Sequence, residues 1–313
     1  MIAYRIQYEP LNRQAQKAVR AKTYGATQLI QMVNTQNQAH DQQWRHKKAL
    51  AGGGALPNIG LYCLNTTRYL LGEKPIEVSA QLHSTPGDAR FKEVEENVTF
   101  TLRFPSGVIA QCPTDYGSFN SRAYTVHAET GSIKMDPAFP YHGLHLEYVH
   151  APDGKQLKET PNDPMKNQFA LEMDHLAECV RQSKLPHTPG EEGLQDQRIM
   201  EAIYQSAREN KPGKLPAGPR LDAFRGPAPA ADEASGGPGS AENAGLAQHP
   251  PTLCGLSTNA AALALAPGAK GLGQPQSHAV VFLVDAPSHP FPLFRKQCWP
   301  PLGRTRRLPA AGV

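Results

Sequence analysis

Paired cysteines, long apolar runs and concentrated positive charge are all missing from this 313-residue sequence. Its five cysteines stand alone, which fits free thiols rather than a disulfide framework or a zinc site. No apolar run approaches the ~20 residues of a membrane-spanning helix. The formal net charge of +4 is spread along the chain, without a basic stripe interleaved with aromatic residues. The sequence therefore predicts no bound metal, no nucleic-acid partner and no membrane partner.

A dinucleotide fingerprint is missing as well. No G-x-G-x-x-G lies between a predicted strand and a predicted helix, so the sequence predicts no pyrophosphate-binding site at a helix N-terminus. The glycine-rich run at 268–273 stands in a low-complexity region and is no candidate. No secretion signal is recognisable at the start, where Met1 leads into an amphipathic segment. A cytoplasmic location is the default expectation.

Composition divides the chain into two regions. Residues 1–216 carry most of the charge and nearly all the periodic segments, which predicts one folded domain. Residues 217–313 hold nearly half of the 29 prolines, and such a composition cannot bury enough apolar surface to offset its ordering entropy. We predict that this tail is disordered. After about residue 230 its composition is that of a shifted reading frame; a genuine linker or interaction tail is the alternative.

Hydrophobic periodicity predicts an α+β domain. Its N-terminal part should contain a strand at 2–8, a helix at 11–22 with Arg13, Lys17 and Arg20 exposed, and a strand at 28–34. Alternating segments typical of antiparallel strands follow at 77–82, 97–104, 108–113, 122–128, 131–135 and 144–150.

Two amphipathic helices are expected to close the domain, at 167–182 and 191–209. The residues that share the apolar face of the first are Phe169, Met173, Leu176 and Val180. Those that share the apolar face of the second are Leu194, Ile199, Ala202, Ile203 and Ala207.

The most informative segment runs from residue 52 to residue 73, where three glycines precede a helical apolar pattern. A triple glycine lets the backbone approach a ligand closely. Asn58 and Tyr62 are four residues apart, so a helix would place both on one face. A polar pair beside a glycine turn predicts a functional site.

This segment and the motifs around it resemble the glucose-fructose oxidoreductase branch of the Gfo/Idh/MocA oxidoreductases. The matching motifs occur in order along residues 1 to about 229, at 3–13, 43–45, 52–73, 136–137 with Tyr141, 167–169, 174–178 and 189–193. The resemblance implies the C-terminal α+β domain of these enzymes, with an open, mostly antiparallel sheet and flanking helices. Family members also carry a preceding Rossmann domain and a catalytic lysine in a Glu-Lys-Pro tripeptide, and we expect this chain to lack both.

The resemblance also assigns residues to a site. It makes Tyr62 the general acid/base at a sugar hydroxyl, a role in which a phenol needs a nearby cation to ionise; a packed helix tyrosine is the alternative. Asn58 stands where the branch has an aspartate, and a helix cap or plain polar residue is the competing interpretation. The positions that line the substrate and cofactor cleft in relatives are Arg5, Tyr8, Trp44, Arg45 and Tyr141. Packing is the alternative for each.

The sequence thus predicts the substrate-binding and oligomerisation half of an NADP(H)-dependent sugar oxidoreductase, inactive alone because the Rossmann domain is missing. The full-length family uses NADP or NAD, and this chain alone is expected to bind neither. A sugar substrate and a homo-oligomer built through the sheet face are expected by resemblance. A full-length form that carried a signal would be periplasmic. Two alternatives stay open: a non-catalytic sugar-binding or scaffold module, and a decayed gene product.

Overall fold

The computed structural model describes residues 1–38, 43–161 and 166–216. Its α-helices are α1 Pro10–Arg20, α2 Lys48–Ala51, α3 Leu61–Leu71, α4 Gln168–Gln182 and α5 Gly190–Glu209. Its strands are β1 Thr27–Thr35, β2 Glu77–His83, β3 Asn97–Arg103, β4 Ile109–Asp115, β5 Ser121–Ala128, β6 Gly131–Met135, β7 Leu146–His150, β8 Leu157–Glu159 and β9 Gly213–Lys214. Short 3₁₀ turns span Arg5–Tyr8, Trp44–His46, Ala89–Phe91 and Pro152–Gly154, and a π-helical turn Leu56–Gly60 leads into α3. The tail predicted to be disordered, 217–313, lies outside the described residues.

The strands form one nine-stranded sheet in the order β8-β7-β6-β5-β1-β4-β3-β2-β9. Neighbouring strands run antiparallel except β1 and β4, which pair in parallel from Leu29 with Ile109 to Thr35 with Asp115. The turn between β3 and β4 contains Gly107, which has a φ of 91°. The open, mostly antiparallel α+β architecture is therefore confirmed.

Helices α1, α3 and α5 cover one face of this sheet. Alternate side chains of the central strands point into that layer, as in β3, where Val98, Phe100 and Leu102 are fully buried. On the opposite face the side chains are exposed or half-buried, and Ile109 there is 44% exposed. The described part of the sheet thus has one covered face and one open face.

The segment before α1 is a 3₁₀ turn, so the strand predicted at 2–8 is wrong. All four residues of Arg5–Tyr8 are buried, and an inward and an outward face therefore cannot alternate there. Pro10 begins α1, and the Glu9 carboxylate caps it by accepting from two backbone N–H groups of its first turn. Capping and burial together favour the turn over an extended strand.

The first helix is also less exposed than predicted. Lys17 faces solvent, but Arg13 and Arg20 are half-buried. Arg20 extends along α3 and donates to the carbonyl of Tyr69 at 2.6 Å. A long arginine side chain can cover apolar surface while its charged end finds an acceptor, which alternation in the sequence does not reveal.

The apolar face predicted for α4 exists, but most of it faces outward. Met173 and Val180 are 64% and 72% exposed, and Leu176 is 37% exposed. The buried side of the helix carries Gln168, Glu172 and Cys179. Periodicity tells which residues share a face and not what that face packs against. Here α4 turns its polar side toward the Arg5–Tyr8 turn.

The predicted apolar face of α5 is buried in its second half. Ile199 and Ile203 belong to the core, whereas Leu194 in the first half is 51% exposed. No helix in the described ranges is long and apolar enough to cross a membrane.

Buried polar groups hold α5 to α3. Arg68 and Asp196 form an ion pair in which both side chains are fully buried. Asn65 donates to Asp196 at 2.8 Å and to Glu192 at 2.9 Å. Gln7 donates to the same Glu192 oxygen at 2.8 Å. Glu192, in the first turn of α5, is therefore an internal acceptor that joins α5, α3 and the turn before α1.

Candidate active site

Each of the three glycines before α3 is required by the local structure rather than by a ligand. Gly52 ends α2 in the left-handed region, with a φ of 77°. A Cβ on Gly53 would collide with the Tyr204 hydroxyl, and a Cβ on Gly54 would collide with the Glu95 carbonyl oxygen. The close backbone approach that we predicted for a ligand is made to the protein's own groups.

The same contacts fix the start of the helix that carries Tyr62. Tyr204 donates to Glu95 Oε1 at 2.8 Å, and that oxygen also accepts from the Leu56 N–H at 3.0 Å. Burial and the Glu95 carboxylate raise the pKa of Tyr204 well above its usual value. On the sheet side, Asn34 of β1 donates to the Ile59 carbonyl at 2.9 Å. The π-helical turn is thus held from α5 and from the sheet.

Arg5 is the centre of the candidate site. It is 4% exposed, and its Cζ lies 4.6 Å from the ring centroid of Tyr141, 5.0 Å from that of Tyr62 and 5.8 Å from that of Phe169. Its guanidinium donates to the Tyr62 hydroxyl at 2.9 Å and to Gln168 Oε1 at 2.7 Å. We call these five residues, Arg5, Tyr62, Tyr141, Gln168 and Phe169, the Arg5 cage.

The cage joins motifs that are far apart in the sequence. Gln168, at the start of α4, also donates to the Tyr141 carbonyl at 2.9 Å. This bond joins α4 to the loop between β6 and β7. A guanidinium that donates to a phenol oxygen stabilises negative charge on that oxygen. The structure therefore supplies a cation beside Tyr62 from within this chain.

A Glu-Lys-Pro tripeptide does occur, as Glu73-Lys74-Pro75, so our expectation that the chain lacks one is wrong. Lys74 follows the C-terminal end of α3, and almost the whole helix, roughly 15 Å, separates it from Tyr62. Burial lowers the pKa of Lys74, and the positive charges of Arg68 and Arg198 add to the effect. This lysine is not the cation beside Tyr62.

Asn58 lies in the π-helical turn and bonds away from the cage. Its Nδ2 donates to the hydroxyl of Tyr116 at 2.7 Å, and Tyr116 is fully buried just after β4. The Tyr116 ring packs against the His46 ring with centroids 6.3 Å apart. An aspartate at this position would only accept hydrogen bonds, so the asparagine reverses the direction of the bond to Tyr116.

Trp44 and Arg45 lie in the 3₁₀ turn that ends at His46. The Arg45 guanidinium lies 4.7 Å from the centroid of the Trp44 ring, and Arg45 is 8% exposed. Trp44 is 52% exposed and keeps surface open to solvent. Through His46 and Tyr116, this turn is connected to Asn58.

Tyr8 lies in a different environment. It is fully buried, and its ring packs against those of His175 and His187 at 5.3 and 6.1 Å between centroids. Thr188 gives its proton to the Ile2 carbonyl at 2.6 Å, so the Tyr8 hydroxyl donates to Thr188 at 2.8 Å. These contacts favour a packing role for Tyr8.

Glu172 is a residue of the site that sequence reasoning missed. It follows Gln168 by one helical turn on the buried side of α4 and is 6% exposed. Its Oε1 is buried without a hydrogen-bond partner among the described residues. Burial raises the pKa of Glu172 to about 7, although the positive charge of Arg5 acts in the opposite direction. Only its spacing from Gln168 could have marked it in the sequence.

The raised pKa of Glu172 predicts a pH-dependent stability. Its native pKa of about 7 exceeds the ordinary value of 4.5, so the native state retains a proton that the unfolded state loses, and stability falls as the pH rises through that window. Glu172→Gln removes this loss. We expect the melting temperature of the variant, relative to the natural chain, to rise between about pH 4 and pH 8. Parallel melting curves across this range would contradict the assignment.

Neither a cysteine nor a metal-binding group is part of the candidate site in the described residues. Cys63, Cys112 and Cys179, the cysteines of the described ranges, are free and buried, which confirms the free-thiol prediction for these three. In the same ranges no group of three or more His, Cys, Asp or Glu side chains is placed to hold a metal ion.

Comparisons with known proteins bear on both fold and family. The family model for the oxidoreductase family C-terminal alpha/beta domain, of the Gfo/Idh/MocA type, matches residues 25–215. The D-xylose 1-dehydrogenase [NADP(+)] of Haloarcula marismortui is 28% identical over 221 residues, which cover 69% of this chain and 60% of that protein. The 1,5-anhydro-D-fructose reductase of Ensifer adhaerens is 26% identical over 181 residues, 57% of this chain and 53% of that protein.

A solved structure is more similar. The aldose-aldose oxidoreductase of Caulobacter crescentus, complexed with glycerol, superposes with a TM-score of 0.65 at 38% identity, over 69% of this chain and 63% of that one. The chain spans about 60% of the length of the two D-xylose 1-dehydrogenases that it matches. Because the family model covers more than half of its residues, the chain belongs to the Gfo/Idh/MocA oxidoreductase family through the C-terminal alpha/beta domain.

Proposed function

We propose that residues 1–216 form the substrate-binding and oligomerisation domain of a nicotinamide-dependent sugar oxidoreductase. The observation that carries this proposal is the hydrogen bond from Arg5 to the Tyr62 hydroxyl, 2.9 Å long and enclosed by the aromatic rings of the Arg5 cage. The names of the relatives, a xylose dehydrogenase and an aldose-aldose oxidoreductase, support a sugar as the substrate.

Tyr62 acts in this proposal as the general base for sugar oxidation. When the C–H hydrogen leaves a sugar carbon as hydride, the hydroxyl on that carbon must release its proton for the carbonyl to form. An ionised Tyr62 would take that proton, and Arg5 would stabilise the negative charge of the phenolate before the transfer. In the reverse direction the neutral tyrosine would return the proton.

The nicotinamide would accept the hydride when a cofactor is bound. The sequence contains no G-x-G-x-x-G fingerprint to hold the cofactor's pyrophosphate, so we propose that a separate nucleotide-binding domain supplies that site. The exposed ring of Trp44 and the donors of Arg45 suit the wall of the cleft that such a domain would close. Alone, the domain would bind sugar without turnover.

A non-catalytic sugar-binding module is the second candidate, and Asn58 favours it. An amide that donates to Tyr116 carries no charge that could support proton transfer. In that case Tyr62 would serve as a hydroxyl that orients the sugar. The two candidates predict the same binding and differ in turnover.

The open sheet face is the surface through which we propose that copies of the chain associate. Ile109 is 44% exposed there, its neighbour Leu29 of β1 is half-buried, and so is Val33 further along the same strand. An uncovered sheet face with exposed apolar side chains favours self-association.

Sugar binding can be tested on the chain itself, because Trp44 can be made its only tryptophan. The chain has two tryptophans, Trp44 and Trp299, so Trp299→Phe leaves Trp44 as the single reporter. We expect D-xylose or D-glucose to change its fluorescence saturably, and calorimetry on the same protein to give the same affinity. Betaine at equal concentration should give no saturable change.

The control variant is Trp44→Phe, which retains Trp299 and should show no fluorescence response while calorimetry still detects the sugar. A chain that melts cooperatively and gives no saturable signal with either aldose by either method contradicts the proposed function.

A further inference from the structure

We propose that Glu172 is a positioning residue that controls how strongly Arg5 favours the ionised form of Tyr62, and that its neutral carboxyl is the working state. This inference rests on the function proposed above. It names a residue of α4 that neither the motifs nor the family resemblance assigns.

Geometry places Glu172 beside the Arg5 cage. Gln168 accepts a hydrogen bond from Arg5 at 2.7 Å, and Glu172 is four residues later on the same buried side of α4. Side chains four residues apart on a helix are neighbours. The element that packs against this side of α4 is the Arg5–Tyr8 turn, so the carboxyl and the guanidinium belong to one buried layer.

The surroundings of Glu172 favour its neutral form. A buried carboxylate with an oxygen that lacks a partner is costly, because nothing replaces the water lost from the charged group. The titratable and charged groups on the surrounding elements include Arg5 and Tyr8 on the turn, Tyr62 on α3, Tyr141 after β6 and His175 on α4. Arg5 is the charge that acts on Glu172, and its effect is smaller than that of burial.

Competition for one guanidinium links Glu172 to Tyr62. When Glu172 is neutral, the charge of Arg5 stabilises the Tyr62 phenolate alone. When Glu172 is ionised, two negative groups share that charge, and each makes ionisation of the other less favourable. Loss of the Glu172 proton would therefore lower the fraction of Tyr62 that is ionised and able to accept a proton.

The test is the ionisation of Tyr62 followed by NMR in the full chain with ¹³Cζ-labelled tyrosine, the resonance being assigned with Tyr62→Phe. We expect Glu172→Gln to lower the pH at which Tyr62 ionises by on the order of one unit. The matched control is Glu178→Gln, which removes a carboxylate from α4 that is paired with Arg181 at the surface. It should leave Tyr62 unchanged. Equal Tyr62 titrations in the natural chain and Glu172→Gln would overturn the inference.

A second measurement needs no variant at all. In the natural chain labelled with both ¹³Cδ-glutamate and ¹³Cζ-tyrosine, the same coupling should make the Tyr62 resonance move as Glu172 titrates. A Tyr62 resonance that does not respond to that titration would overturn the inference.

Neither readout needs sugar, cofactor or turnover, so the inference and the proposed function can fail separately. A chain that binds no aldose but shows the linked titrations loses the function and keeps the coupling. A chain that binds aldose without linked titrations loses only the role of Glu172.

Discussion

Tyr62→Phe is expected to lower kcat for aldose oxidation by roughly 10²–10⁴-fold in a polypeptide that joins this domain to a nicotinamide-binding domain. The ring remains in the Arg5 cage, but the oxygen that accepts a hydrogen bond from Arg5 at 2.9 Å is removed. Without that oxygen no group at this position can take the hydroxyl proton. Steady-state kinetics with D-xylose and NADP would measure the effect, and sugar binding should change far less than kcat.

Tyr24→Phe is the matched control for this prediction. Tyr24 packs against Tyr148 and His150, outside the Arg5 cage, and loss of its hydroxyl should leave kcat unchanged. If Tyr62→Phe kept kcat within a few-fold of the natural enzyme, a range too small for the loss of a general base, the proton-transfer role would be refuted.

Asp196→Ala is expected to lower the free energy of unfolding by about 3–5 kcal/mol, because it leaves a buried arginine without its counter-ion. Arg68 and Asp196 both have fully buried side chains. Asn65 would lose an acceptor at the same time. Since this network joins α5 to α3, the helix that carries Tyr62, we expect sugar binding to weaken as well. Urea denaturation followed by circular dichroism would measure the stability change.

An exposed ion pair provides the control for the Asp196 prediction. Lys158 pairs with Glu147 at 3.3 Å, and the lysine side chain is 60% exposed. Surface pairs of this kind contribute about 0–1 kcal/mol, so Lys158→Ala should have little effect. Asp196→Asn, which keeps the shape and removes the charge, should fall between the two. Equal stability of Asp196→Ala and Lys158→Ala would show that the buried pair does not stabilise the domain.

Local sequence patterns predicted the sheet well because strand alternation is a property of neighbouring residues. Segments such as 131–135 were predicted at their observed bounds, Gly131–Met135, and β3 and β5 differ from prediction by one residue at one end. The segment at 2–8 failed because polar Arg5 and Gln7 are buried by partners from α3, α4 and α5. A periodic pattern within one segment does not identify partners that come from distant parts of the chain.

The candidate site was predicted in part. Arg5, Tyr62 and Tyr141 were selected from the resemblance, and the structure brings all three together. Asn58, Trp44 and Arg45 lie in a neighbouring group connected through Tyr116 and His46. Their roles stay predictions until variants are measured.

By itself the sequence determined the family, the long helices and most of the strands, and the presence of Tyr62 on the helix after the glycines. Those features depend on motifs and periodicities within short stretches of chain. Tertiary structure alone decided that Arg5 contacts a tyrosine 57 positions away, that Glu172 is buried beside it, and that α4 turns its apolar side outward. Each of these depends on which elements pack together, because burial and the partners of a charge are set by residues distant in the chain.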